Sequence, residues 1–386
     1  MQQILVHARL FDGNQFHAGK AVILDGGIIG DIVDRPKSIG GFEPYDLTGL
    51  VLAPGFVDTQ VNGGGGAMLN GGTTLEGLET IADAHRAHGT TSMLPTLISD
   101  RWQSMEHVAS LISRAHRSWG ENNSLSAIKG VHFEGPYVNP VRKGVHDEDV
   151  IRPVDEGALD LLTHPDLGVR VITVAPEKVG SHFIAELTRR GGIVCAGHTA
   201  GSYQDMLPAL RNGLRGFTHL FNAMSPLESR EPGVVGAALD DEDTWCGLIV
   251  DGFHVHPASM RLALKTKAKG KIMLVTDAMA SVGARNKSFD LHGERIYAQD
   301  GQCRTEDGVL AGSDLDMMTA VRNAVELLGL PISEALRMAS RYPAAFMRMD
   351  TSIGSIAPGF AADLVAFDPT TWTVRHSWIN GYHRAH

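Results

Sequence analysis

The chain has 386 residues, 43% hydrophobic and 20% charged, with a formal net charge of −10. That composition is ordinary for a globular protein and supplies a large core. The acidic balance argues against nucleic acid or an anionic membrane as the main partner, but a few local Arg and His side chains could still hold a small anion. No run approaches the roughly 18 apolar residues of a membrane span, and Met1–His7 lacks the basic-then-apolar pattern of a signal peptide. Cys195, Cys246 and Cys303 show no metal or redox spacing, so a reduced cytoplasmic protein is expected.

Residues 1–52 read as short strands (Ile4–Val6, Ala21–Leu24, Ile28–Val33) split by turn signals at Asp12-Gly13 and Asp25-Gly26-Gly27. From residue 53 the pattern changes to apolar runs alternating with helical periodicity. The predicted strands are Gly55–Gln60, Thr91–Thr96, Ala127–Glu134, Val169–Ala175, Ile193–His198, Gly216–Phe221, Cys246–Asp251 and Ile272–Asp277. Helices are predicted at Leu75–His88, Trp102–Trp119, Phe183–Arg190, Gln204–Asn212, Pro257–Lys267, Leu315–Leu328 and Ile332–Arg341. Strand–helix alternation of this kind predicts parallel strands joined by crossovers, and eight units suggest an α/β protein built on a closed (β/α)8 TIM-type barrel. The C-terminal segment returns to strand character at Leu364–Phe367 and Trp372–Trp378, with Asn380-Gly381 a strong hairpin turn. A lone hairpin is marginal in water. Residues 1–52 and 349–386 are therefore expected to form one small β-sandwich domain beside a barrel at 53–348.

Glu134, His198, His219 and Asp277 each end a strand-like run, where barrel chemistry is placed. An imidazole or carboxylate buried without a partner costs several kcal/mol, and a shared cation would satisfy a converging set. His198 and His219 are 21 residues apart, one repeat of the barrel. Zinc accepts two imidazoles and one carboxylate and leaves a position open for water. Glu134, His198 and His219 supply that count, with Asp277 left as proton acceptor and donor. The competing reading makes the histidines ordinary core residues, Glu134 the partner of a basic side chain and Asp277 a helix cap. His146, in a Gly-containing stretch after the third strand, is either a carbonyl-polarising group or a surface histidine. Arg230 either forks onto a phosphate or pairs with Glu228 or Glu231. Asn222-Ala223 could add backbone donors. Asn62-Gly63-Gly64-Gly65-Gly66 is no nucleotide loop and reads as a flexible turn over the site. His254 reads as a substrate ligand and His256 as a bystander. His85 and His88 read as solvated.

The segments Ala53-Pro54-Gly55-Phe56-Val57-Asp58, His132-Phe133-Glu134-Gly135-Pro136, Ala196-Gly197-His198-Thr199, Thr218-His219-Leu220-Phe221-Asn222-Ala223-Met224, Asp251-Gly252-Phe253-His254, Val275-Thr276-Asp277-Ala278 and Leu310-Ala311-Gly312-Ser313 together resemble the N-acetylglucosamine-6-phosphate deacetylases of the amidohydrolase superfamily. The likeness runs from end to end. It implies hydrolysis of N-acetylglucosamine 6-phosphate to glucosamine 6-phosphate and acetate. One divalent ion, zinc first and iron or cobalt as alternatives, would sit on Glu134, His198 and His219. Asp277 would act as base then acid and His146 on the acetyl carbonyl. Gln60, Asn62, Asn222, Ala223, Arg230, His254 and Leu310 would contact substrate. A homodimer is implied, with Arg230 reaching the neighbouring subunit's site. Where many superfamily members carry His-x-His and two metals, Gln60-Val61-Asn62 stands here. Carboxamides are poor ligands for such ions, so a second metal is expected to be weak or absent. Another amidohydrolase activity, or a barrel serving as a non-catalytic scaffold, are the rival readings.

Overall fold

The computed structural model describes residues 2–34, 43–117 and 124–386. Eight parallel strands lie side by side in chain order: Phe56–Val61, Thr90–Ile98, Gly130–Glu134, Val169–Val174, Ile193–Ala196, Gly216–Phe217, Trp245–Leu248 and Ile272–Leu274. Every residue of the first three is buried. Burial along the whole strand is expected where helices cover a parallel sheet, and it takes in polar residues such as Asp58, Gln60 and His132. The ring is drawn shut between its first and eighth strands. Val61 bridges in parallel to Ala278, Asp277 N donates to Gln60 O at 3.0 Å and Asn62 N donates to Ala278 O at 2.9 Å.

Helices cover the ring where the periodicity predicts them: Leu75–Arg86, Trp102–Arg117, Pro176–Arg189, Tyr203–Arg211, Pro257–Thr266, Met317–Glu326 and Ile332–Ala339. Residues 118 and 119 of the second predicted helix lie outside the described residues. Local chemistry sets several starts. The Thr74 side chain accepts from Gly77 N, Ser202 and Asp205 form a reciprocal capping box, and Asp316 accepts from Thr319 N. Pro176–Arg189 starts seven residues earlier than the periodicity suggests, with Gly180 at φ 75° marking a kink. Several elements escape the sequence pattern, such as the helices Ala158–Leu162 and Arg341–Phe346, and two more lie among the later strands. One is the short helix Gly233–Asp240. The other is an antiparallel sheet of Ser288–Leu291, Glu294–Gln299, Gln302–Arg304 and Leu310–Ser313, inserted after the eighth strand.

The termini combine as anticipated. Val51–Pro54 pairs antiparallel with Leu364–Asp368, so the first stretch of chain is built into a sheet with the last. A second, four-stranded sheet carries Gln3–Val6, Lys20–Asp25, Ile28–Asp34 and Glu43–Asp46; residues 35–42, also part of the expected β region, are outside the described set. Leu5, Leu10, Val22, Leu24, Leu364, Ala366 and Trp378 share one core between the two sheets. Asn380 and Gly381, at φ 47° and 77°, join Thr373–Ile379 to Tyr382–Ala385. Positive φ at both central residues is what an Asn-Gly hairpin turn requires.

Asp58 fastens the barrel seam from inside. It is fully buried, Oδ2 lies 2.5 Å from Thr276 Oγ1, and Gln60 N donates to Oδ1 at 3.2 Å. Burial pushes its pKa up to about 7, against hydrogen bonds that pull it down. The folded state thus favours the neutral acid. Its stabilising contribution is complete below the ordinary value of 3.8, shrinks as pH rises, and is gone above about 7. Asp58→Asn should therefore gain on the wild type as pH rises: its melting temperature relative to wild type should be higher at pH 8 than at pH 5. An identical difference at both pH values would refute the assignment.

Candidate active site

Glu134 closes the third barrel strand, and His198, His219 and Asp277 lie two or three residues past the ends of the fifth, sixth and eighth. The last three have left-handed backbones, with φ of 47°, 34° and 53°. Such conformations cost non-glycine residues about 1–3 kcal/mol and gather at functional sites. Here the turn ends each strand and swings its side chain into the barrel mouth.

Three donor atoms converge there. His198 Nε2 and His219 Nε2 lie 3.1 and 2.9 Å from Glu134 Oε1, and 3.0 Å from each other. The trio is buried, and among the described residues it is the group of His, Cys, Asp and Glu side chains placed to hold a metal ion. His198 Nδ1 is 2.9 Å from the Arg142 carbonyl. That contact puts the ring proton on Nδ1 and turns the Nε2 lone pair inward, the usual outer-shell arrangement for a metal-ligating imidazole. Two imidazole nitrogens facing one carboxylate oxygen at these distances are the donor set of a zinc-like site, so the residues fit a divalent cation.

The electrostatics separate the two carboxylates. Burial alone would raise Glu134, but the two imidazoles of His198 and His219 facing it hold it well below the usual carboxylate range. His219 is raised in turn: burial opposes its charge, and Glu134 outweighs burial. Asp277 is pushed up to about 6 by burial and by the nearby Glu134. The two carboxylates of one cavity are thus driven in opposite directions, Glu134 down and Asp277 up.

His146, which the sequence left open between a surface and a site residue, is buried in the wall. Its ring centroid lies 4.2 Å from that of His198. Ser99 N donates to its Nδ1 at 3.4 Å and Ser99 Oγ lies 2.7 Å from the same atom. The Ser99 N–H makes Nδ1 the acceptor and so places the ring proton on Nε2, leaving the Ser99 hydroxyl to donate to Nδ1 as well. Burial, reinforced by His198, keeps His146 well below the usual histidine range and hence neutral. His254 pairs its Nδ1 with Asp251 Oδ2 at 2.6 Å.

Asn62, Asn222, Ala223, His254 and Leu310 line one cavity of about 190 Å³ together with Glu134, His146, His198, His219 and Asp277. Gln60 is buried behind that wall, hydrogen-bonded to Glu134 and Asp277. Arg230 is exposed in a loop outside it, while Glu231 turns away to accept from Tyr203 N and Gly233 N. His256 accepts from Ala258 N as a helix cap, consistent with its bystander reading.

Two expectations are corrected. The glycine run after Asn62 is a pinned hairpin, not a flexible turn: Gly63–Gly64 pairs with Ala67–Met68, and Gly65 N and Gly66 N donate to Val282 O and Ala280 O at 2.7 and 2.8 Å. A Cβ on Gly63 would stand 2.4 Å from Ala67 O, so glycine serves close packing there. His85 is fully buried with Nε2 2.8 Å from Gly63 O, and His88 lies 3.5 Å from Asp316, so neither is simply solvated. The first reading took the conformational freedom of glycine for mobility; the second took helical spacing for exposure, although spacing shows which face residues share and not which loop packs on it.

The sequence pattern also missed partners. Asp251 stood inside a quoted motif, and its spacing of three to His254 was the available signal. Ser99 gave none. Glu177, at the start of Pro176–Arg189, accepts from Asn139 Nδ2, Thr199 Oγ1 and Ala200 N and so ties down the turn that carries His198. His132 sits within the barrel, 3.0 Å from Thr59 O and 2.7 Å from Thr173 Oγ1.

If Glu134, His198 and His219 hold the cation, His219→Ala should weaken metal binding by more than the roughly 10–100-fold that outer-shell partners cost. Metal quantified after dialysis would show it, and an unchanged metal content would exclude the trio.

Comparison with known proteins agrees with this geometry. Residues 51–382 match the amidohydrolase family. The chain is 43% identical to the N-acetylgalactosamine-6-phosphate deacetylase of Shewanella sp. (strain ANA-3), covering 87% of this chain and 84% of that protein. It is 35% identical to the N-acetylglucosamine-6-phosphate deacetylase of Haemophilus influenzae, covering 94% and 93%. The crystal structure of the N-acetylglucosamine-6-phosphate deacetylase from Pasteurella multocida superposes with a TM-score of 0.95 at 35% identity, over 100% of both chains. With the family matched across the barrel and the ligand trio at its mouth, the chain belongs to the amidohydrolase family.

Proposed function

We propose that this protein hydrolyses the acetamide of an N-acetylated hexosamine 6-phosphate, N-acetylglucosamine 6-phosphate foremost, releasing acetate and glucosamine 6-phosphate. The observation that carries the proposal is the convergence of Glu134, His198 and His219 beside Asp277 in one cavity. A non-catalytic scaffold would have no need to keep that set intact. A bound divalent cation, zinc by preference, supplies Lewis acidity, polarising a carbonyl and lowering the pKa of water.

The remaining chemistry belongs to side chains of the chain. Asp277 takes a proton from the attacking water and returns it to the departing nitrogen, which would otherwise leave as a strongly basic amide anion. A carboxyl pushed up to about 6 suits a group that must both accept and donate near neutrality. Neutral His146 donates its Nε2 hydrogen to the carbonyl oxygen as negative charge develops there. His254, its Nδ1 proton committed to Asp251, offers Nε2 to a sugar hydroxyl. Asn62, Asn222, Ala223 and Leu310 shape the remaining wall.

Arg230 is proposed to bind the phosphate in trans. It is exposed beside a groove of about 650 Å³ whose walls include Phe221, Leu227, Val235 and Leu262. Leu227 and Leu262 are 56% and 64% exposed. An exposed apolar groove marks an association face, and a second copy placed there would bring Arg230 towards the partner's mouth. The three free, buried cysteines suit a reducing compartment, so we place the protein in the cytoplasm; among the described residues no helix is long and apolar enough to cross a membrane.

A second substrate is favoured by one observation: a relative 43% identical is a deacetylase of N-acetylgalactosamine 6-phosphate, the C4 epimer. Acetate release from both 6-phosphates, their unphosphorylated sugars and an N-acetyl amino acid decides between them. Activity confined to the amino acid would refute the proposal.

Asp277→Asn should lower kcat about 10²–10⁴-fold with metal content intact; near-normal turnover would remove Asp277 from the reaction. Arg230→Ala should raise KM roughly ten- to a hundredfold, the loss of a hydrogen bond to a charged group. An unchanged preference for the phosphorylated sugar would exclude Arg230 from phosphate binding.

A further inference from the structure

The first barrel strand runs into the mouth carrying two carboxamides, Gln60 and Asn62, which are 1% and 2% exposed. Both direct N–H groups at one atom. Asn62 Nδ2 donates to Asp277 Oδ1 at 2.6 Å, and Gln60 Nε2 donates to the same oxygen at 3.2 Å and to Glu134 Oε2 at 2.9 Å. The orientation of the Asn62 amide is determined by its partner: reversed, it would set its own oxygen 2.6 Å from a carboxylate oxygen. Neither backbone is free to drift. Asp277 N donates to Gln60 O and Asn62 N to Ala278 O, two of the hydrogen bonds that close the barrel. Among the described residues, every side-chain hydrogen bond to Asp277 goes to Oδ1, and Oδ2 receives none.

A carboxylate on an unrestrained terminal torsion is broadly two-fold and presents either oxygen at many angles. Proton transfer does not tolerate that, since displacing a group by about 1 Å can cost a hundredfold in rate. We propose that Asn62, with Gln60 behind it, is a positioning residue for Asp277: its amide holds Oδ1 so that Oδ2 faces the reacting atoms. The inference rests on the proton-transfer role proposed for Asp277, and it gives Asn62 a function in turnover rather than in holding substrate.

Kinetics and metal content of Asn62→Ala and Asn62→Asp test it, together with thermal unfolding of chelator-treated protein in the presence and absence of Asp277→Ala. Asn62→Ala should lower kcat about 10–100-fold, leave KM within about threefold and leave metal content unchanged. Asn62→Asp keeps the shape of the side chain but replaces the N–H donor with an acceptor, so its kcat should fall at least as far. In chelator-treated protein, Asn62→Ala should lower the melting temperature when Asp277 is present and cause little further loss in the Asp277→Ala background. The inference is overturned by a kcat within about twofold of wild type, by a loss expressed in KM alone, by Asn62→Asp outperforming Asn62→Ala, or by equal melting shifts in both backgrounds. Should the wild type hydrolyse none of the amides offered, the proposed function fails, and the melting comparison still decides whether Asn62 holds Asp277.

Discussion

The site depends on the closure of the barrel between its first and eighth strands. Two backbone hydrogen bonds and the contact between Asp58 and Thr276 join strands that are more than two hundred residues apart in the chain. The same seam carries Gln60, Asn62 and Asp277. A loosening there would separate Asp277 from Asn62 and Gln60, which hold it, and from Glu134. The chemical centre is therefore built into the stabilising architecture, which explains why so many polar groups at the seam are buried and yet partnered.

Local backbone energy is used in the same place. His198, His219 and Asp277 adopt left-handed conformations, uncommon outside glycine although Asp and His enter them more readily than most residues. The surrounding hydrogen bonds over-determine them: Asn139 N donates to His198 O, Asn222 N to His219 O and Ser313 N to Asp277 O. The last of these involves the inserted antiparallel sheet, whose Leu310 and Gly312 also line the cavity. That sheet is thus part of the site wall as well as an attachment to the barrel.

Charge placement follows from burial and contact rather than from residue type. Glu134 and Asp277 are both carboxylates in one cavity and share Gln60, but two imidazoles also face the first, whereas the second, among the described residues, meets only carboxamides in its side-chain hydrogen bonds. Imidazoles can carry charge and share a cation; carboxamides stay neutral, and here they present N–H groups to Asp277. The first carboxylate is held as an anion and the second is left able to change protonation state.

Much of this was readable before any coordinates. Alternating apolar and helical periods gave the barrel, because strands covered on both faces are largely apolar and helices must present one apolar stripe. Four polar residues ending apolar runs marked the mouth for the same reason: a polar group is tolerated there only where buried strand meets open cavity. The resemblance to a known family supplied roles and substrate contacts that spacing alone could not. Only the tertiary structure decided which partners each of these residues meets. That Ser99 sets the tautomer of His146, that Asp251 holds His254, that His85 is sealed under the glycine hairpin and that Asn62 grips Asp277 all depend on contacts between distant segments. Periodicity records which face of an element is buried; it carries no information about what is buried against it.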